Sequence, residues 1–272
     1  MKFRISIGIV FVMAILSACG PSQRELATKK IGAANALLAK GDTANCLLNL
    51  DSIPKLYPEA RTEANSANVI SNSIHTSRLI RQRDNLAAAK ILIEVLIRNF
   101  VPEKGEFDKY TSYIYKGQEI DKSWARSFIQ VYLNEKGDLT LSGNYYGAEW
   151  LNHTSVTIVG EGIIAKTDSM PLDHPSNHHS EFSGSKWEKT TFTGGKTDSV
   201  IAMIAANADK KLKAIFKGKS SYIVWVEESD KKAIKAAYAL ARALKVKAEA
   251  EKSITILERK MAIPHSETAI FK

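Results

Sequence analysis

The run Asp173-His174-Pro175-Ser176-Asn177-His178-His179-Ser180-Glu181 holds three of the chain's six histidines, flanked by carboxylates. Imidazole ligates zinc and copper and exchanges a proton near neutral pH, so this is the first place to look for a metal or a general base. His174 and His178, together with Glu149, are the candidate catalytic groups. The spacing argues against a metal. Ligands need helical i, i+4 spacing or convergence from separate elements, whereas neighbours 178 and 179 point to opposite sides of an extended chain. Pro171 and Pro175 make the segment read as an exposed loop. We expect no metal site and no cofactor.

Other motifs fail on inspection. Thr193-Gly194-Gly195-Lys196-Thr197 matches only the end of a phosphate-binding loop, because Thr190 stands where the first glycine is required. Ser-x-x-Lys occurs at Ser52–Lys55, Ser183–Lys186 and Ser229–Lys232, with neither Ser-Asp-Asn nor Lys-Thr-Gly to accompany it. There is no Gly-x-Ser-x-Gly and no His-Glu-x-x-His. A glycosidase would need two carboxylates at a defined separation, and nothing in the spacing of Glu149 and Glu161 selects them. The aromatics say more. Trp124, Trp150, Trp187 and Trp225 all fall in the β-rich portion, and Tyr145, Tyr146 and Trp150 sit with Glu149 in NYYGAEW. Such a set can stack on sugar rings while a carboxylate orients hydroxyls; the competing account is that these rings fill a core.

The elements that carry these residues change period along the chain. Residues 23–99 read as helices, with Ala27, Ile31, Ala34 and Leu38 on one face, a Lys40-Gly41-Asp42 turn, then Cys46, Leu47 and Leu50 on the next. A helix from Glu59 to Asn99 is expected to break near Arg78, Arg81, Arg83 and Asp84. From Ser127 the pattern alternates: Ile129, Val131, Leu133, a turn at 134–138, then Leu139 and Leu141. Further strands are expected at 156–166, 186–193, 211–217 and 221–226. Residues 199–206 (SVIAMIAA) read as a strand or equally as a buried helix. Ser229-Asp230 caps a last helix running toward Pro264. The fold class is α+β: a helical region over 23–110, then an antiparallel sheet or sandwich with a long helix packed on it over 111–272.

Residues 33–58 (AANALLAKGDTANCLLNLDSIPKLYP) resemble a tetratricopeptide-type helical hairpin. A solenoid needs about three such units, so the stretch is read as a lone hairpin. An adaptor in an envelope assembly is then a minor reading.

The first residues differ from everything that follows. Lys2 and Arg4 precede an uncharged apolar run over Ile5–Leu16, too short for the roughly 20 residues of a spanning helix, which is the layout of a signal peptide over 1–18. Leu16-Ser17-Ala18-Cys19 resembles the lipobox of bacterial lipoproteins. That resemblance implies acylation of Cys19, palmitate included, cleavage just before it, and a short tether over 19–22. Diacylglycerol plus an N-acyl chain exceeds the two hydrophobic signals that stable anchoring requires. Gly20 stands where the enterobacterial pattern has Asp for inner-membrane retention, so the outer membrane is expected. The acidic run of surface-exported Bacteroidota lipoproteins is absent, so the body is expected to face the periplasm. Asp42-Thr43, Asp51-Ser52, Asp168-Ser169 and Asp198-Ser199, each followed by an apolar residue, resemble the O-glycosylation acceptors of Bacteroidota, which implies glycans on Thr43, Ser52, Ser169 and Ser199.

The formal charge is +9, and cleavage would remove Lys2 and Arg4. The remaining charge is spread out, with no basic patch interleaved with aromatics, so a nucleic-acid partner is not expected. With 44% apolar and 25% charged residues the chain is of globular composition. The function expected is a lipid-anchored, non-enzymatic binding or structural protein of the cell envelope, with membrane and glycan or envelope-protein partners. The alternatives are an envelope hydrolase acting on glycan or peptide, and the helical adaptor.

Overall fold

The computed structural model describes residues 21–106, 108–119 and 125–262. Cys19, Trp124 and the expected signal peptide lie outside them. The chain divides into two compact units, one holding the residues up to Arg78 and from Arg259 onward, the other Leu79–Glu258.

In the first unit, α1 (Gln23–Ala39) begins with a capping box: the Ser22 hydroxyl accepts from the Glu25 N–H while the Glu25 carboxylate accepts from the Ser22 N–H. Asp42 then caps α2 (Thr43–Leu56) by accepting from the Asn45 N–H. The long helix α3 (Arg61–Ile97) follows. Ala27, Ala34, Cys46, Leu50, Ile53 and Ala67 are buried together, the small residues allowing close approach of the helices. Burial, with Asp42 nearby, pushes the Cys46 thiol above its usual pKa, which keeps it in the unreactive protonated form. The expected break in α3 does not occur. Arg78, Arg81, Arg83 and Asp84 are all exposed, and arginine is a good helix former, so these charges interrupt the apolar stripe without interrupting the helix.

The second unit holds two antiparallel sheets, the part of α3 from Leu79 onward and two further helices, giving an α+β fold. The six-stranded sheet runs β1 (Phe100–Glu103), β2 (Ser112–Tyr115), β3 (Phe128–Asn134), β4 (Leu139–Gly147), β8 (Ser185–Thr193), β7 (Asn177–Phe182). The four-stranded sheet runs β10 (Ser221–Trp225), β9 (Lys213–Lys217), β5 (Ser155–Gly160), β6 (Ile163–Lys166). The two further helices are α4 (Thr197–Ala206) and α5 (Glu228–Ala262). Their buried Ile201 and Ile234 join Leu141, Phe192, Ile158 and Phe216 of the two sheets in one core.

Strand alternation fixes the faces. On β3, Ile129, Val131 and Leu133 enter the core while Phe128, Gln130 and Tyr132 face outward. On β4, Leu139, Leu141 and Tyr145 enter while Ser142, Asn144 and Tyr146 face outward. Gly137 (φ 79°) closes the β3–β4 turn, and a Cβ there would lie 2.7 Å from the Ala241 carbonyl oxygen of α5.

Of the two readings of residues 199–206 the helix holds: they lie in α4, because Val200, Ile201, Ile204 and Ala205 are the buried positions, a helical face and not a period of two. The segment read as an exposed loop over 171–181 contains β7 from Asn177. This edge strand pairs with β8 while five of its six side chains stay exposed, so it lacks the apolar pattern that marks a strand in sequence. The short strands β1 and β2 were hidden for a related reason: four residues each are too few to show a period.

Candidate binding cavity on the outer face of the six-stranded sheet

Polar residues are buried on the sheet face that looks away from the core. Gln130, Ser142 and Asn144 there are almost inaccessible, and Gln118, which follows β2, is only 2% exposed. Burial of this kind is informative, since such groups lose water and need partners. They are linked in series. Arg126 grips Asp230 of α5 with both guanidinium nitrogens, at 2.7 and 3.0 Å. Gln118 Nε2 donates to Asp230 Oδ1 (2.9 Å) and to the Ile129 carbonyl (3.1 Å). Gln130 Nε2 donates to the Gln118 carbonyl (2.8 Å), Ser142 Oγ to Gln130 Oε1 (3.4 Å), and Asn144 Nδ2 to Ser142 Oγ (3.2 Å).

Above this floor lies a cavity of about 250 Å³, lined by Gln118, Phe128, Gln130, Asn144, His178, His179, Ser180, Trp187 and Lys189. Register explains the set. Phe128 pairs with Asn144, Asn144 with Lys189, Lys189 with His178, and Trp187 with Ser180, so these side chains share one face across four strands. The amide of Gln118 has one possible orientation, because both partners of its nitrogen are pure acceptors. Among the described residues its buried Oε1 has no hydrogen-bond partner, a state that costs about 1–3 kcal/mol. Lys189 is the cation of the cavity. Burial pulls its pKa below the usual lysine value, against a weaker opposing pull from Glu103.

The expected aromatic platform is divided by the pleat. Tyr145 is buried in the core, its hydroxyl donating to the Glu149 carbonyl, while Tyr146 points to the other face and donates to Ser185 Oγ (2.9 Å). Trp150 is half-buried against the edge of His179 and beneath the Lys186 ammonium. The three rings therefore do not form one stacking surface. Trp187 and Phe128 are the rings that line the cavity.

The candidate catalytic groups are not brought together either. Glu149 is exposed, His174 Nδ1 accepts from the Ser176 N–H (3.1 Å) in a surface turn, and His178 stands across from Lys189. No hydrogen bond or ion pair joins any two of them. His178 does face the cavity, and His179, on the opposite side of β7, approaches Glu188 at 4.0 Å. Among the described residues no group of three His, Cys, Asp or Glu side chains could hold a metal ion. Of the glycan acceptors, Thr43, Ser52 and Ser199 lie within helices, whereas Ser169 sits in an exposed irregular segment.

One pairing was not anticipated. His153 and Glu188, both wholly inaccessible, meet at 2.8 Å between Nδ1 and Oε2. Glu188 also accepts from the backbone N–H groups of Asn152 (2.7 Å) and His153 (3.0 Å). Burial alone would raise its pKa; the bonds from His153 and the two amides outweigh that and lower it. With the carboxylate ionised, Nδ1 donates, and Nε2 lies 3.1 Å from the Gly143 carbonyl. The pair is a buried histidine–carboxylate bridge that pins the 151–154 segment to β8. The sequence offered no signal for it beyond a Glu on a core-facing strand position, since 35 residues separate the partners.

Compared with known protein families, with curated proteins and with solved structures, the chain matches none.

Proposed function

We propose that this is a lipid-anchored, non-enzymatic binding protein of the cell envelope whose recognition site is the outer-face cavity. The observation that carries the reading is a cavity of about 250 Å³ floored by a buried amide network and lined by Trp187, Phe128 and Lys189. Such groups are held in place before a ligand arrives, which reduces the ordering cost of binding. Amide and hydroxyl groups around Trp187 and Phe128 suit a saccharide, whose ring offers an apolar face and whose hydroxyls donate and accept.

A binding role fits better than hydrolysis. The one close histidine–carboxylate pair among the described residues has both ring nitrogens engaged and no access to solvent. The anchor rests on the Leu16–Cys19 sequence. Among the described residues no helix is long and apolar enough to cross a membrane.

Two measurements test the proposal. Intact mass of the full chain made in a Gram-negative host should show an acylated Cys19 as first residue, and Cys19→Ala should abolish the acylation; an unmodified amino terminus in the wild type overturns the anchor. Saturation-transfer NMR against neutral and acidic mono- and disaccharides should show contact that Asn144→Leu removes. No contact with any sugar overturns the recognition site.

A further inference from the structure

We infer that the cavity takes a sugar bearing a carboxylate, with Lys189 pairing to that carboxylate. This rests on the reading of the cavity as a binding site.

The argument begins with what surrounds Lys189. It sits on β8, flanked by Asn144 on β4 and His178 on β7. Among the described residues it has no carboxylate within 4.0 Å and no hydrogen bond; its ammonium lies 5.7 Å from the centre of the Tyr132 ring. Asp230, the buried carboxylate of this region, is already taken by Arg126 and Gln118. Glu103 on β1 acts on Lys189 only through space. A lysine partly out of water with no counter-charge is disfavoured in the empty protein, and an anion entering the cavity removes that penalty.

The kind of anion follows from the donor set. A dianionic phosphate is favoured by several cations or by the bidentate fork of an arginine, whereas one lysine supplies a single point charge. One charge matches one carboxylate. Asn144 and Ser180 can meet ligand hydroxyls, and Trp187 and Phe128 offer apolar surface. A cavity of about 250 Å³ suits one ring and not a chain. A uronate-type sugar meets each requirement: one carboxylate, several hydroxyl donors and an apolar ring face.

The experiment is a titration of the full chain, solubilised in mild detergent, followed by tryptophan fluorescence and calorimetry. The probes are D-glucuronate, D-galacturonate, D-glucose, D-galactose, D-glucose 6-phosphate and N-acetylglycine. The uronates should bind roughly tenfold or more tighter than the neutral sugars, as a charge-assisted bond implies, and tighter than the phosphate. Lys189→Met should erase the difference between acid and neutral sugar, and Lys189→Arg should keep most of it. N-acetylglycine separates the carboxylate from its carrier: if it binds as tightly as the uronates, the sugar part of the inference is wrong. Equal affinity for acid and neutral sugars, a preference for phosphate, or an acid preference that survives Lys189→Met overturns the inference while leaving the cavity as a binding site. If no probe binds, neutral or acidic, the site reading itself fails and the inference with it.

Discussion

Replacing Glu188 probes the buried bridge most directly. The carboxylate is wholly inaccessible and accepts three N–H bonds, from Asn152, from His153 and from the His153 ring. Glu188→Ala leaves three N–H donors without that partner at once, one of them on the His153 ring. Removing one member of a buried pair costs about 3–5 kcal/mol, and the orphaned amides are part of that figure, not an addition to it. Glu188→Gln keeps the volume but is no substitute, because Oε1 faces the Asn152 N–H and Oε2 faces the His153 N–H. Whichever way the amide is turned, its NH2 meets a donor, so we expect a loss of about 1.5–3 kcal/mol. Urea unfolding followed by tryptophan fluorescence reads the right unit, since all four tryptophans lie between Trp124 and Trp225. The pH dependence adds a check. Glu188 has its pKa lowered on folding, so its contribution is present above the ordinary glutamate range and is lost as pH falls through the lowered value. The gap between wild type and Glu188→Gln should therefore narrow in acid. A loss under about 1 kcal/mol for Glu188→Ala, the size of a surface change, or a gap that does not change with pH, would refute the reasoning.

Lys189→Met should raise stability at neutral pH, because burial lowers the lysine's pKa and the folded state then holds its charge at a penalty. The folded state releases that proton first, so the gain should be full at neutral pH and shrink as pH rises through the lowered value into the ordinary lysine range. Glu103, Tyr132 and His178 are the titratable neighbours to hold constant, and thermal unfolding at several pH values reads the effect. Gly218→Ala should destabilise by about 1–3 kcal/mol or more, since a Cβ at that position would strike the Leu151 carbonyl, which is backbone and cannot swing away; a melting temperature equal to wild type would contradict this.

Elements were legible where burial wrote a period into the sequence. Ile129, Val131 and Leu133 announced β3, and Ile234, Ala237 and Ala241 announced α5, because one face of each is core. Where burial does not follow a simple period, reading failed. β7 carries His178, His179 and Glu181 at an exposed edge and resembles a loop. Residues 199–206 are almost wholly apolar, so only the pairing of 200 with 204 and 201 with 205 distinguishes helix from strand. The cavity was the least visible feature, since it combines Gln118, Asn144, Trp187 and Lys189 from segments whose neighbourhood exists only after the strands pair. His178 alone was singled out in sequence, for a chemistry that its surroundings do not provide.

The two faces of β4, β8 and β7 both carry polar residues and treat them differently. On the core side Glu188 has three partners, and the Thr190 hydroxyl lies between the His153 carbonyl (3.0 Å) and Asn177 Oδ1 (3.1 Å). That side is closed within the chain, as folding demands of groups removed from water. On the outer side, one β-residue along, Asn144 donates to Ser142, but Lys189 has no ion-pair partner among the described residues. Lys189 lines the cavity, which is where an anionic ligand can complete it.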